Sequence, residues 1–215
     1  MVVQNSKTGP PGYFGRYLKS QCGATLRVVN PQELPSYDEV ANVELIVVLG
    51  SANGVYEQLA WIERERTLVR EALAAKHPMI GICFGAQIIA SALGADVSAG
   101  KPYRGWLDND DVTAAIWRGP WLRWHGDRLA APAGAEIFAR SEGTIQAFQV
   151  GRAIGIQFHP EADASIVTEW LQIASSDARA RLDIAGLLAE SDERFRTMEP
   201  ARARLFHEVL TRTVG

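Results

Sequence analysis

The run Pro78-Met79-Ile80-Gly81-Ile82-Cys83-Phe84-Gly85-Ala86-Gln87 restricts the folds open to this chain, because an apolar strand in it must become a helix almost at once. Met79, Ile80 and Ile82 fit a short strand buried on both faces, and residues 86–93 carry apolar side chains at helical spacing up to a Gly94 stop. The turn between them is therefore tight. Gly81 and Gly85 flank Cys83 in the pattern G-x-C-x-G, the layout of a nucleophile elbow, where small residues let a strained turn raise one side chain above the sheet. A thiol at a helix N-terminus also meets the positive end of the helix dipole, which favours the attacking thiolate. A lone cysteine behind an apolar strand is equally what a small core residue looks like, so a catalytic reading needs a base.

The histidines are His77, His125, His159 and His207. Residues 153–158 predict a strand that ends in His159-Pro160-Glu161, with imidazole and carboxylate two positions apart on one face. Pro160 suits a strand end, where no ladder donor is needed. Cys83, His159 and Glu161 then supply nucleophile, base and orienting carboxylate, provided that the fold joins positions 83 and 159. The bland alternative is a turn pair at a strand end. His125-Gly126-Asp127 also reads as an ordinary turn, His77 and His207 read as surface residues, and Trp106, Trp117, Trp121 and Trp124 read as gap fillers.

Residues 44–49 form the most apolar, β-branched run and predict a central strand buried on both faces. A loop at 50–54, a helix at 59–76 and the strand leading to Cys83 follow, which is βαβ and implies a parallel sheet with right-handed crossovers. Ligands of such sheets sit beyond the strands' carboxyl ends, where Gly50-Ser51 and Cys83 both fall. Before them come strands at 2–5 and 25–29, a loop at 6–12 whose Gly9–Gly12 part suggests, by its position, a cover over the site, and a helix at 13–21. After Gly94, short strands at 96–99, 111–115, 136–140, 145–150 and 153–158 suggest antiparallel additions at one edge, with 121–127 as an intervening loop. Helices dominate from 163, the last of them interrupted at Pro200. The expected fold is α/β: a flavodoxin-like three-layer sandwich with a mostly parallel central sheet and antiparallel edge strands. One domain over 1–215, with a helical C-terminal part from about 163, accounts for the whole chain.

A formal net charge of -3 offers no basic field for nucleic acid. No apolar run approaches the roughly 20 residues of a membrane span. A disulfide between Cys22 and Cys83 would consume the nucleophile, and no secretory signal is evident, so a reducing cytoplasm is expected. Cys, His and Asp are too sparse for a metal cage, and no cofactor is expected.

Four blocks, Val47-Val48-Leu49-Gly50-Ser51, Gly81-Ile82-Cys83-Phe84-Gly85-Ala86-Gln87, Trp124-His125-Gly126-Asp127 and Gln157-Phe158-His159-Pro160-Glu161, together resemble the class I glutamine amidotransferases, in particular a GMP synthase glutaminase-like domain. The resemblance runs from about 43 to 161 in that family's order. It implies a Cys83-His159-Glu161 triad that hydrolyses the amide of L-glutamine through a thioester. It also implies an oxyanion hole from backbone N–H groups at Ser51 and Phe84, next to Gly50, and a glutamine site involving Gln87, Trp124, Gly126 and Asp127. The family's Gly-Gly-Pro reads Gly50-Ser51-Ala52 here; a positive φ at Ser51 would cost about 1 kcal/mol. The ammonia would pass to a separate synthetase. The same triad would also serve a γ-glutamyl amide or peptide hydrolase, and the same fold a non-catalytic regulatory subunit.

Overall fold

Alternate residues of β3 (Ile46–Val48) enter opposite cores, Ile46 and Val48 joining one apolar cluster and Val47 another. A strand of β-branched residues with no polar face can only sit between two layers. In the computed structural model, which describes residues 1–215, those layers are helical. On one side α3 (Ala60–Ala74) and α4 (Phe84–Ala92) contribute Ile62, Leu68, Val69, Ile88 and Ile89. On the other, α1 (Gly12–Cys22) and α8 (Glu199–Thr213) contribute Phe14, Leu18, Leu205, Phe206 and Val209. Phe14 stacks on Phe206 with centroids 4.3 Å apart.

The sheet has eight strands. β1 (Val2–Val3), β2 (Val28–Val29), β3, β4 (Met79–Ile82) and β10 (Ala153–Ile156) run parallel in the order β2-β1-β3-β4-β10. Antiparallel β9 (Thr144–Val150), β8 (Glu136–Ser141) and β6 (Asp111–Val112) extend it beyond β10. The expected α/β architecture is therefore present, with its antiparallel strands at one edge. Helices α2 (Tyr37–Val40) and α6 (Ser176–Ala180) are short connectors, while α5 (Ala164–Ile173) and α7 (Ile184–Thr197) pack in a third apolar cluster with Leu122.

Several local expectations need correcting. Residues 121–127 are strand: β7 (Trp121–Leu129) pairs with β5 (Val97–Leu107) in a separate antiparallel sheet. Arg123 and His125-Gly126-Asp127 hide the alternation that would reveal it, and the partner strand carries a bulge between Ala99 and Tyr103. The first two strands are shorter than read, because the chain leaves the sheet after Val3 and joins it only at Val28. The helical run expected over 195–210 is broken, but at Met198 between α7 and α8; Pro200 lies in the first turn of α8, where its missing N–H costs nothing. His77 is buried rather than exposed, its ring edge-on to Tyr37 and its Nδ1 3.3 Å from the Tyr37 hydroxyl.

Candidate active site

The carboxyl ends of β3, β4 and β10 lie side by side, and each delivers one part of the site. β4 ends at Cys83, which has φ 54° and ψ −108°, a conformation that costs a non-glycine residue about 1–3 kcal/mol. Its neighbours leave it no alternative. A Cβ on Gly81 would lie 2.3 Å from the backbone of Gly85, and one on Gly85 would lie 2.0 Å from the Val48 carbonyl oxygen. Glycine at both positions lets α4 start hard against β3 and β4. The Cys83 N–H donates to the Ile156 carbonyl at 2.7 Å, tying the elbow to the last residue of β10.

β10 stops at Ile156, two residues short of the expected end, so His159 and Glu161 are not strand neighbours. A turn at Pro160-Glu161 brings them together instead, with Nδ1 of His159 2.7 Å from Oε1 of Glu161. Both side chains are buried. The segment is held from three directions. The His159 N–H donates to Leu122 O at 2.8 Å, and the Tyr13 N–H donates to Glu161 O at 2.7 Å. Arg202 donates to Pro160 O at 2.8 Å and also to Ala162 O.

The Nε2 atom of His159 has no hydrogen-bond partner. A Cβ placed on Gly50 would lie 3.4 Å from His159 Cε1 and 3.7 Å from Cys83 Cβ, so one small space separates thiol, imidazole and the loop after β3. Burial by itself would lower the His159 pKa, but the Glu161 carboxylate, and then Cys83, outweigh it and raise it to about 10. The pairing with Glu161 favours the charged imidazolium. His125 is the opposite case: burial, reinforced by charged His159, holds it down to about 4, so it stays neutral.

Around this centre lies a cavity of about 430 Å³. Gly50, Ser51, Cys83, Gln87, His159 and Glu161 line its floor, and Trp124, Gly126 and Asp127 of β7 form a wall. Phe84 does not line it: its ring is buried in the core against Trp61, and only its N–H lies beside the elbow. The N–H groups of Ser51 and Phe84 donate to no acceptor within the protein. Ser51 carries no backbone strain, since the non-glycine residues with positive φ are Lys76, Cys83 and Glu142. Gln87 is buried, its Nε2 3.4 Å from Gln157 Oε1. Asp127 accepts from the Tyr56 hydroxyl at 3.1 Å, and burial pushes its pKa up. Ser6, Thr8 and Gly9 of the loop that follows β1 border the same cavity.

Other residues of the site were not singled out from the sequence. Gln157 reaches the Cys83 sulfur from 3.8 Å, and it sits in the resembling block beside His159, a signal that was available. Trp170 packs edge-on to His159 with centroids 4.7 Å apart and donates its indole N–H to Thr8 O at 2.8 Å. Neither Trp170 nor Arg202 carries a local signal, since both arrive from helices distant in sequence. No three His, Cys, Asp or Glu side chains gather as a metal site. Cys22 and Cys83 are both free thiols, and no helix is long and apolar enough to cross a membrane.

Comparison with known proteins agrees with this architecture. A GMP synthase [glutamine-hydrolyzing] of Pyrobaculum aerophilum is 31% identical over 150 residues, 66% of this chain and 28% of that one. One GMP synthase [glutamine-hydrolyzing] subunit, from Sulfurisphaera tokodaii, is 30% identical over 119 residues, 50% of this chain and 63% of its own. The chain thus spans less than two thirds of either relative. A glutamine amido transferase from Methylobacillus flagellatus superposes with a TM-score of 0.87 at 24% identity, covering 99% of this chain and 94% of its own, a likeness of fold. The family model for glutamine amidotransferase class-I matches residues 16–171, which include the elbow, the β7 wall and the His159-Glu161 turn. This chain belongs to the class-I glutamine amidotransferase family.

Proposed function

We propose that the protein hydrolyses the side-chain amide of L-glutamine, with Cys83 as nucleophile, His159 as acid and base, and Glu161 as the group that orients and charges the ring. The observation that carries this reading is the 2.7 Å contact between His159 and Glu161, which leaves Nε2 unpartnered beside a cysteine on a strained elbow. In the first step the Cys83 thiolate attacks the carboxamide carbon. The N–H groups of Ser51 and Phe84, next to Gly50, receive the developing oxyanion. The C–N bond then breaks, the leaving nitrogen takes the proton from His159 Nε2, and ammonia departs from a γ-glutamyl thioester. Neutral His159 next removes a proton from water, hydroxide attacks the thioester, and glutamate leaves as the thiolate re-forms.

Gln87, Trp124, Gly126 and Asp127 bind the glutamine in this reading, and the half-buried Asp127 carboxylate suits its ammonium group. Residues 1–215 act as one unit, because the C-terminal part supplies Trp170 to the cavity and Arg202 to the His159-Glu161 turn. The relatives' names support glutamine as substrate and a separate ammonia-accepting synthetase as partner. A thiolate nucleophile needs a reducing compartment, which favours the cytoplasm.

The test is glutamate release by the wild type and by Cys83→Ala, with capture of the thiol by a glutamine-like diazo-ketone. Cys83-dependent release and labelling are expected. Equal release by Cys83→Ala would dismiss the mechanism.

A further inference from the structure

The buried face of α3 is apolar except at one position. Ile62, Leu68, Val69 and Ala72 lie on it at helical spacing, and Glu65 lies among them, equally buried and joined in no ion pair. An acid in such a stripe destabilises the core unless its oxygens are hydrogen-bonded. Glu65 makes one hydrogen bond, Oε1 accepting from Asn5 Nδ2 at 3.0 Å, and its Oε2 has no partner. Packing alone gives no reason for a carboxyl group here.

What the acid holds lies beside the site. The Asn5 amide nitrogen also donates to Leu49 O at 3.2 Å, immediately before Gly50 and Ser51 on the cavity floor. Asn5 Oδ1 has no partner, so these two acceptors alone decide which way the amide faces. With Glu65 taking one N–H, the other is aimed at Leu49 O; without it the amide is free to turn over and present an oxygen there. The next residue of α3 grips the same loop further along, Arg66 donating to Val55 O. The loop after β1, which Asn5 opens, also lies close, since a Cβ on Gly9 would be 3.9 Å from Gly50 O. Glu65 and Asn5 themselves do not border the cavity.

We propose that Glu65 and Asn5 are positioning residues for the oxyanion loop: the Glu65 acceptor aims the Asn5 amide at Leu49 O, and that bond fixes where the Ser51 N–H points. This role rests on the proposed amide hydrolysis, in which the Ser51 N–H receives the developing negative charge. A donor of that kind helps only when it is already held where the charge will form. The buried acid supplies that hold from outside the cavity.

The experiment follows two reactions of Cys83 in the wild type, Glu65→Leu and Glu65→Gln. Glutamine hydrolysis builds an oxyanion; alkylation by iodoacetamide, a displacement at a saturated carbon, builds none. Glu65→Leu should lower kcat for glutamine about tenfold or more with KM nearly constant, while alkylation of Cys83 stays within about twofold of the wild-type rate. Glu65→Gln keeps an acceptor for Asn5 and should hold kcat within about twofold of the wild type. Wild-type kcat in Glu65→Leu overturns the proposal. An equal fall in hydrolysis and alkylation overturns it too, because the defect would then lie at the thiol, and so does a Glu65→Gln defect as large as that of Glu65→Leu. Asn5→Ala cuts the other end of the link and is read in the same way where Glu65→Leu folds poorly. Failure of the underlying mechanism looks different: glutamate release would survive Cys83→Ala.

Discussion

Arg202, on the last helix of the chain, donates its Nε–H to the carbonyl oxygen of Pro160 at 2.8 Å. With its second bond to Ala162 O, the guanidinium grips both sides of Glu161 while its flat face lies 4.1 Å from the Tyr13 ring centroid. The turn that carries the carboxylate bonded to His159 Nδ1 is thus held by a side chain some forty residues downstream. Arg202→Met keeps the stem and removes the fork. Each buried carbonyl left without a donor costs about 1–3 kcal/mol, so the urea midpoint should fall. As a positioning residue Arg202 touches no substrate, so kcat should drop about tenfold or more with KM nearly constant. A variant that loses stability but keeps kcat would reduce Arg202 to a structural brace.

Gly50 separates architecture from chemistry. A methyl there would meet His159 Cε1 at 3.4 Å and Cys83 Cβ at 3.7 Å, which is ordinary contact, so Gly50→Ala should fold with stability within about 0.5 kcal/mol of the parent. In the proposed mechanism that methyl fills the space that the attacked carbonyl needs. The expected result is loss of about a hundredfold or more in kcat/KM at an unchanged urea midpoint. Activity near the parent level would mean that the substrate approaches the thiol by another path.

Gly85 should behave in the reverse way. A Cβ at this position would lie 2.0 Å from Val48 O, a backbone atom in the middle of the sheet that cannot step aside. Gly85→Ala should cost more than about 3 kcal/mol and yield little soluble protein. Gly94, which has open space around it and φ +82°, is the control: alanine there should cost only about 1 kcal/mol of backbone strain.

These glycines explain how much of the site was legible beforehand. Gly81, Cys83 and Gly85 enforce the elbow through contacts within a few residues or with the adjacent strand, and such short-range constraints leave a fixed spacing in the sequence. His159 and Glu161 are likewise two residues apart. β7 left no such mark, because its pairing is to β5, and its alternation is disturbed by Arg123, which is buried and donates to Asn109 Oδ1 at 2.8 Å. Arg202 and Trp170 were illegible for the same reason: what they touch is settled by how α8 and α5 dock. The apolar faces of those helices announce that they dock, but not where.

Glu65 provides a test that uses pH. It lies on α3, fully buried, with Oε1 accepting from Asn5 Nδ2 at 3.0 Å and Oε2 without a partner. The same Asn5 amide donates to Leu49 O at 3.2 Å, one residue before the Gly50-Ser51 loop. Burial pushes the Glu65 pKa from 4.5 up to about 8, against a smaller downward pull from the Asn5 hydrogen bond. Below the unfolded value both states hold the proton, and Glu65 adds no pH dependence. Between 4.5 and about 8 the unfolded chain releases it while the folded protein keeps it, so stability declines as pH rises. Glu65→Gln keeps an acceptor for Asn5 and cannot ionise. Its stability relative to the parent should therefore grow with pH, by at most about 1.4 kcal/mol per unit. His159 and His125 titrate in both proteins, and their contributions cancel in the difference. Urea unfolding of the pair at about pH 5 and about pH 8 measures it; a difference that stays flat, or shrinks with pH, would mean that Glu65 is ionised in the folded protein.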